Sequence, residues 1–259
     1  MSEGNYFNSE NLYLRLIDKS TAKNFVKKHH YSHSSNLCVV SYGLFYQTNI
    51  LSKFTEGFES KLIGVIIYSQ PAGRGAAESI SPMVKIDECL ELIRLVILDG
   101  YGTNIESWFI SQSFKLLKKD FPNIKVILSY SDTEQNHKGI IYQATNFIFT
   151  GLNSDTNLMP NFSVSLTENP YKWIHSRTVF STYGSHNIDH LKKRIGHTFW
   201  RKKEAGKLRY IYILANKKTK KEILATLKLK NLPYPKNCDY KDEIEKIVIE
   251  NPIENKFFG

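Results

Sequence analysis

Residues 89–120 read CLELIRLVILDGYGTNIESWFISQSFKLLKKD, and this run decides the fold class. Cys89–Leu98 is an apolar stretch broken only by Glu91 and Arg94, as expected of a strand inside a sheet. Asp99-Gly100-Tyr101-Gly102 is turn chemistry. Asn104 then opens an amphipathic helix to about Asp120, with Trp108, Phe109, Phe114 and Leu117 as core positions, and Pro122 stops it. A strand, a glycine turn and a helix start make a place for an anion. The first N–H groups of a helix lack intrahelical partners and carry the positive end of its dipole.

Outward from this run, the N-terminal side reads as strand Leu12–Ile17, a helix capped by Ser20 or Thr21 and running through Lys28, then strands Leu37–Gln47 and Leu62–Ser69. The C-terminal side reads as strand Ile124–Tyr130, helix Lys138–Thr145 and strand Phe147–Gly151. The order β-α-β-β-β-α-β-α-β predicts a mixed sheet with helices on both faces. Further on, Trp173–Phe180 and Arg209–Ala215 read as strands, and Ile188–Ile195 and Thr219–Leu229 as helices. Three regions are expected: a core over 1–170, a basic extension over 171–236 and an acidic tail over 237–259.

Charge supports this division. The chain has 259 residues and a net charge of +10, yet residues 192–236 hold 15 basic and 2 acidic side chains. Residues 1–191 balance at 17 of each, and 237–259 hold 3 basic and 6 acidic. A uniformly basic coat is excluded, and a polyanionic partner is expected. Lys192, Lys193, Arg194, Arg201, Lys202, Lys203, Lys207 and Arg209 alternate with Trp200 and Tyr210, so cations for phosphates stand beside rings for bases. No apolar run is long enough to span a bilayer, and the first residues have no secretory pattern. Cys38, Cys89 and Cys238 lack zinc spacing and give no disulfide framework, so free thiols are expected.

Four clusters carry candidate chemistry. In Lys27–His33, three histidines suggest a metal, but His29 and His30 are adjacent and no carboxylate pair is near; a pocket residue or a solvated loop both remain open. Asp132 ends a strand, where α/β sheets bind ligands, and either accepts a substrate proton or caps a turn. Tyr142, one element later, is either an acid for a leaving group or a core residue. Arg94 inside an apolar strand requires an anion or a carboxylate, and Ser107 in the next helix offers a hydroxyl and an N–H to an anion.

The blocks KKHHYS (27–32), ELIRLVI (91–97), ESWFISQSFKLLKKD (106–120) and SYSDTEQNHKGIIYQATNFIFTG (129–151) together resemble the Mom DNA-modification proteins of bacteriophages. The resemblance covers residues 12–152 and, less distinctively, RKKEAGKLRYIYIL (201–214) and LPYPK (232–236). It implies an α/β fold similar to GCN5-related N-acetyltransferases, with a basic α/β C-terminal extension. It also implies a transferase that places a carbamoylmethyl (glycinamide-sized) group on the N6 amine of adenine in phage DNA, protecting it from host restriction. The implied substrate-site residues are His30, Tyr31, Asp132 and Tyr142. The implied donor site is Arg94 and Ser107; Gly100, Gly102 and Asn104 of the turn join it as the anion place read above from the helix start.

The adenine amine is a weak nucleophile whose lone pair is delocalised into the ring, so an acceptor such as Asp132, with His30 as base, suits it. The base is stacked in a duplex and has to be flipped out. The donor stays open between acetyl-CoA, another acyl or aminoacyl carrier and a charged tRNA. Ile97-Leu98-Asp99-Gly100-Tyr101-Gly102 keeps two glycines of the acetyltransferase loop but has no leading basic residue, and Asp99 disfavours a pyrophosphate. Iron held by His30, Asp132 and Tyr142 is a further open reading. Double-stranded DNA is the expected partner, no membrane is involved, and the expected location is the cytoplasm of an infected bacterium. The alternatives are an acyltransferase acting on a protein or tRNA amine, and a non-catalytic DNA-binding protein.

Overall fold

A computed structural model describes residues 8–30, 38–51, 56–71, 75–133, 136–153, 162–204, 206–237 and 242–249. In chain order the elements are β1 (Leu12–Leu16), α1 (Lys19–His29), β2 (Val40–Leu51), β3 (Glu56–Ser69), β4 (Cys89–Ile97), α2 (Ile105–Asp120), β5 (Val126–Asp132), α3 (Ile140–Ala144), β6 (Ile148–Leu152), β7 (Phe162–Ser165), β8 (Ile174–His175), α4 (Ser176–Tyr183), α5 (Ile188–Ile195), β9 (Phe199–Lys203), β10 (Lys207–Ile213), α6 (Lys217–Ala225) and β11 (Glu243–Ile247).

Seven strands form a sheet in the order β1-β2-β3-β4-β5-β10-β6. The first four pair antiparallel, and β4 and β5 pair parallel across α2. The fold class is therefore the expected mixed sheet with helices on both faces. Ala22 and Val26 of α1 pack on Val65, Ile67 and Val96. Ile223 of α6 packs on Cys89, Val126, Leu128, Ile211 and Ile213. The other face carries α2 and α3: the Tyr68 hydroxyl meets Ser113 Oγ at 2.6 Å, Phe114 stacks on Tyr212 and Tyr142 tilts against Tyr210. Side chains alternate across a strand, so odd and even positions of β10 serve the two faces.

Contacts divide the chain into two units. The first comprises residues 1–130, 139–151 and 209–234, and the second 131–138, 152–208 and 235–259. The expected boundaries at 170/171 and 236/237 are corrected by this. Residues 209–234 belong with the first unit because β10 lies between β5 and β6 in the large sheet and α6 covers it. The second unit has its own sheet, β11-β9-β7-β8, and its own core of Phe162, Val164, Val179, Leu191, Phe199 and Ile247.

Two local expectations are also corrected. Helix α1 is capped by Asp18, whose carboxylate accepts from Thr21 N at 2.9 Å, so Ser20 and Thr21 are the second and third residues of the helix rather than its cap. Trp173–Phe180 is not a long strand: β8 has two residues, and α4 begins at Ser176 and ends at Gly184, whose φ is +76°. Glycine there stops the helix in a left-handed conformation. Among the described residues no helix is long and apolar enough to cross a membrane.

Candidate active site

The donor-side candidates sit where β4 ends and α2 begins, all in the first unit. Gly100 and Gly102 adopt φ of +94° and +98°, and Asn104 follows at +67°. Nothing lies within 4 Å of a Cβ built on Gly100, so conformation rather than space calls for glycine there. Asn104 is the N-cap of α2, but its side chain makes no capping hydrogen bond. Its carbonyl accepts from Trp108 N at 3.2 Å and from the Ser107 hydroxyl at 3.0 Å. Glu106 is an acid in the same first turn.

Arg94 stands opposite Ile67 in the β3–β4 ladder. Paired residues of an antiparallel ladder share a face, so Arg94 lies on the side covered by α1, away from α2. A register shift in this ladder leaves Ile93 as the extra residue. Nη1 of Arg94 donates to the Ile93 carbonyl at 2.6 Å. His30, the C-cap of α1, donates its backbone N–H to Val26 O at 2.8 Å. Tyr31 lies outside the described residues.

Tyr142 is buried on α3, its ring centroid 5.2 Å from that of Phe147 and 5.3 Å from that of Tyr210. It is thus a packed core residue as well as a candidate acid. Beside it, the Tyr68 hydroxyl is buried against Ser113. Burial first, then the neighbouring Tyr42 and Tyr142 hydroxyls, push Tyr68 far above the usual phenol range. Tyr130 is pushed up to about 12, by burial first and then by Glu91. The grouping of Tyr42, Tyr68 and Tyr142 was not apparent from spacing, because these residues are brought together only by the fold.

Asp132 belongs to the second unit. Its Oδ2 lies 3.3 Å from Lys207 Nζ. The following turn is tied down: Ser131 Oγ donates to His137 O at 2.8 Å, Thr133 Oγ1 to Gly206 O at 2.6 Å, and His137 N to Asp132 O at 3.1 Å. Lys207, expected on the basic surface, is therefore the cation of the candidate acceptor.

The remaining basic candidates divide. Arg201 pairs with Glu245 at 3.1 Å, Lys202 with Asp242 at 3.2 Å and Lys203 with Glu243 at 3.2 Å. Arg209 is 5% exposed, and its Nε donates to Thr150 Oγ1 at 2.9 Å; it is a core cation, which corrects its expected place on the surface. Lys193 and Arg194 of α5 are exposed, and Lys192 is half-buried. Among the described residues no group of three or more His, Cys, Asp or Glu side chains is placed to hold a metal ion. Cys89 is buried, Cys38 is half-buried and both are free thiols, while Cys238 lies outside the described residues.

Comparison with known proteins adds the following. A model of the Mom protein family matches residues 11–236. The methylcarbamoylase Mom of Escherichia phage Mu is 29% identical over 149 residues, 57% of this chain and 56% of that protein. The chain thus spans little more than half the length of the curated relative it matches. Among solved structures, a spermidine/spermine N-acetyltransferase from Vibrio cholerae is similar with a TM-score of 0.40 and 9% identity over 80% of this chain and 94% of that one. An N-acetyltransferase from Staphylococcus aureus Mu50 has a TM-score of 0.37 and 11% identity over 79% and 99%.

Proposed function

The chain belongs to the Mom protein family, and from that premise we propose that it is a transferase that modifies the N6 amine of adenine in double-stranded DNA, with a carbamoylmethyl group as the adduct. The family match over residues 11–236 carries this reading. The relative from phage Mu is a methylcarbamoylase by name.

The chemistry asks for few groups. The N6 nitrogen forms a bond to the transferred carbon, one N6 proton is lost, and the leaving group departs with a proton. Asp132 is the acceptor that holds the amine's proton as the bond forms. Its carboxylate lies 3.3 Å from Lys207 Nζ, a polar setting that suits an acceptor. Tyr142 is the proton source for the leaving group, held by the rings of Phe147 and Tyr210. His30 stands as a further base. The turn Gly100–Asn104 and the uncapped start of α2 take the anionic part of an acyl or aminoacyl carrier through backbone N–H groups and the Ser107 N–H. A tRNA charged with glycine carries the carbon, nitrogen and oxygen atoms of the adduct, whereas acetyl-CoA would leave only an acetyl group on N6, so the mass of the adduct tells the two donors apart. Modified DNA would be shielded from restriction enzymes of a bacterial host.

Nucleoside mass spectrometry of plasmid DNA from bacteria expressing the chain tests the reading. An adenine nucleoside heavier by the carbamoylmethyl group is the expected result. Unmodified nucleosides with folded protein present would overturn it, and an adduct on tRNA or protein instead would move the activity to another amine.

A further inference from the structure

Two sets of cations in the second unit have different surroundings. On β9, each of Arg201, Lys202 and Lys203 meets a carboxylate of β11 or of the residue before it. The Lys202 and Asp242 side chains are only 14% and 19% exposed, and Lys202 also lies over the Trp173 ring. These cations hold the edge strand in place, and their charge is already answered.

Helix α5 is arranged the other way. Leu191 is buried in the core of the second unit, with Ile188 and Ile195 packed against it, so the i, i+3, i+7 face points inward. Lys193 and Arg194 lie on the opposite, exposed face, and among the described residues neither has an ion pair. The helix is fixed in place. Asn187 Oδ1 accepts from His190 N at 3.1 Å, His190 Nε2 donates to Tyr183 O at 2.9 Å, and His186 Nε2 donates to Ser176 O at 3.0 Å. Gly184 turns the chain between α4 and α5 with φ of +76°. Two cations therefore project from a rigid two-helix turn, and binding there orders only their own side chains.

We propose that the exposed face of α5, through Lys193 and Arg194, grips the phosphate backbone of duplex DNA, and that the β9 cations do not. This rests on the DNA-modifying reading above for its choice of partner. The wide major groove of a DNA duplex admits a helix, whereas the narrow one of an RNA duplex does not. Cations in a last turn also complement the helix dipole, so a binding measurement rather than a stability measurement is the test.

The experiment measures the affinity of the full chain for a labelled duplex at several salt concentrations. Each phosphate contact contributes about 0.9 to the slope of log affinity against log salt. K193Q/R194Q is expected to lower that slope by about 2 and to raise Kd, with its circular dichroism unchanged at the assay temperature. K203Q, in an exposed β9 pair, is expected to leave the slope as it is. An unchanged slope in K193Q/R194Q, a lowered slope in K203Q, or tRNA competing better than duplex DNA would each overturn the proposal. Adduct formation by the unaltered chain is scored separately. An adduct with an unchanged K193Q/R194Q slope sinks only the α5 assignment, whereas a lowered slope without any adduct sinks only the modifying activity.

Discussion

Lys207 Nζ stands 3.3 Å from Asp132 Oδ2, tying the first residue of β10 to the last of β5. The lysine is half exposed and the aspartate mostly covered, with side-chain exposures of 52% and 23%. An ion pair this open contributes at most about 1 kcal/mol, so its weight falls on the placement of the Asp132 carboxylate rather than on the fold. Asp132→Asn keeps the shape and removes the acceptor. Adduct yield is expected to fall by roughly 100-fold or more, as loss of a general base does, with little change in Tm. Lys207→Met should lower the yield less. Nucleoside mass spectrometry on both variants decides it, and wild-type yield from Asp132→Asn removes Asp132 from the mechanism.

Gly139, the N-cap of α3, has φ of +71°, and a Cβ there would stand 2.6 Å from Cε2 of the Tyr210 ring. That ring packs on Tyr142 and Phe149 and has little room to retreat. Both the backbone conformation and the approach exclude a side chain. Gly139→Ala is expected to cost about 1–3 kcal/mol, visible as a lowered Tm, and to reduce adduct yield by displacing Tyr142. An unaltered melting curve would show that the turn relaxes freely.

The elements from β1 to β6 were legible in the sequence because their signals are local: apolar runs, helical spacing, and turns at Gly100–Gly102 and Pro122. The place of β10 was not, since a strand inserted between β5 and β6 is chosen by pairing partners far apart in the chain. Arg209 was read as surface because its neighbours are basic, but alternation along β10 puts it on the face with the core residues Ile211 and Ile213. Helix α4 was hidden by the aromatic and β-branched residues of Trp173–Phe180; the glycine at 184 was the signal that a helix ends there. At the site, the left-handed turn before α2 follows from its glycines. The face on which Arg94 points does not, because a register shift at Ile93 sets it.

The buried pair Tyr68–Ser113 makes an asymmetric prediction. Ser113 Oγ also lies 2.7 Å from Ile110 O, to which it donates, so its oxygen accepts from Tyr68. Ser113→Ala leaves the Tyr68 hydroxyl buried without that acceptor, costing about 1–3 kcal/mol. Tyr68→Phe removes the hydroxyl and leaves Ser113 bonded to its helix, so it should cost less. Denaturant unfolding of the two variants checks the order. A larger loss from Tyr68→Phe would reverse the assigned donor.

Cys89 and Tyr130 set the alkaline limit. Burial, with Glu91 second, raises the Cys89 thiol from 9.0 to about 12, and burial raises Tyr130 from 10.0 to about 12. Both hold their protons in the folded chain after the unfolded chain has lost them. Below pH 9 this contribution to stability is whole. Between about 9 and 12 the unfolded state binds fewer protons, so stability falls as pH rises. Tm is expected to hold from pH 7 to 8.5 and then to decline steadily to pH 11. Cys89→Ala should start from a lower Tm, because it empties part of a packed cluster, and should decline less steeply. In the folded protein at pH 9, alkylating reagents should spare Cys89, since the reactive thiolate is absent. Ready alkylation of Cys89 at that pH, followed by mass spectrometry of its peptide, would contradict its burial against Val126 and Ile211.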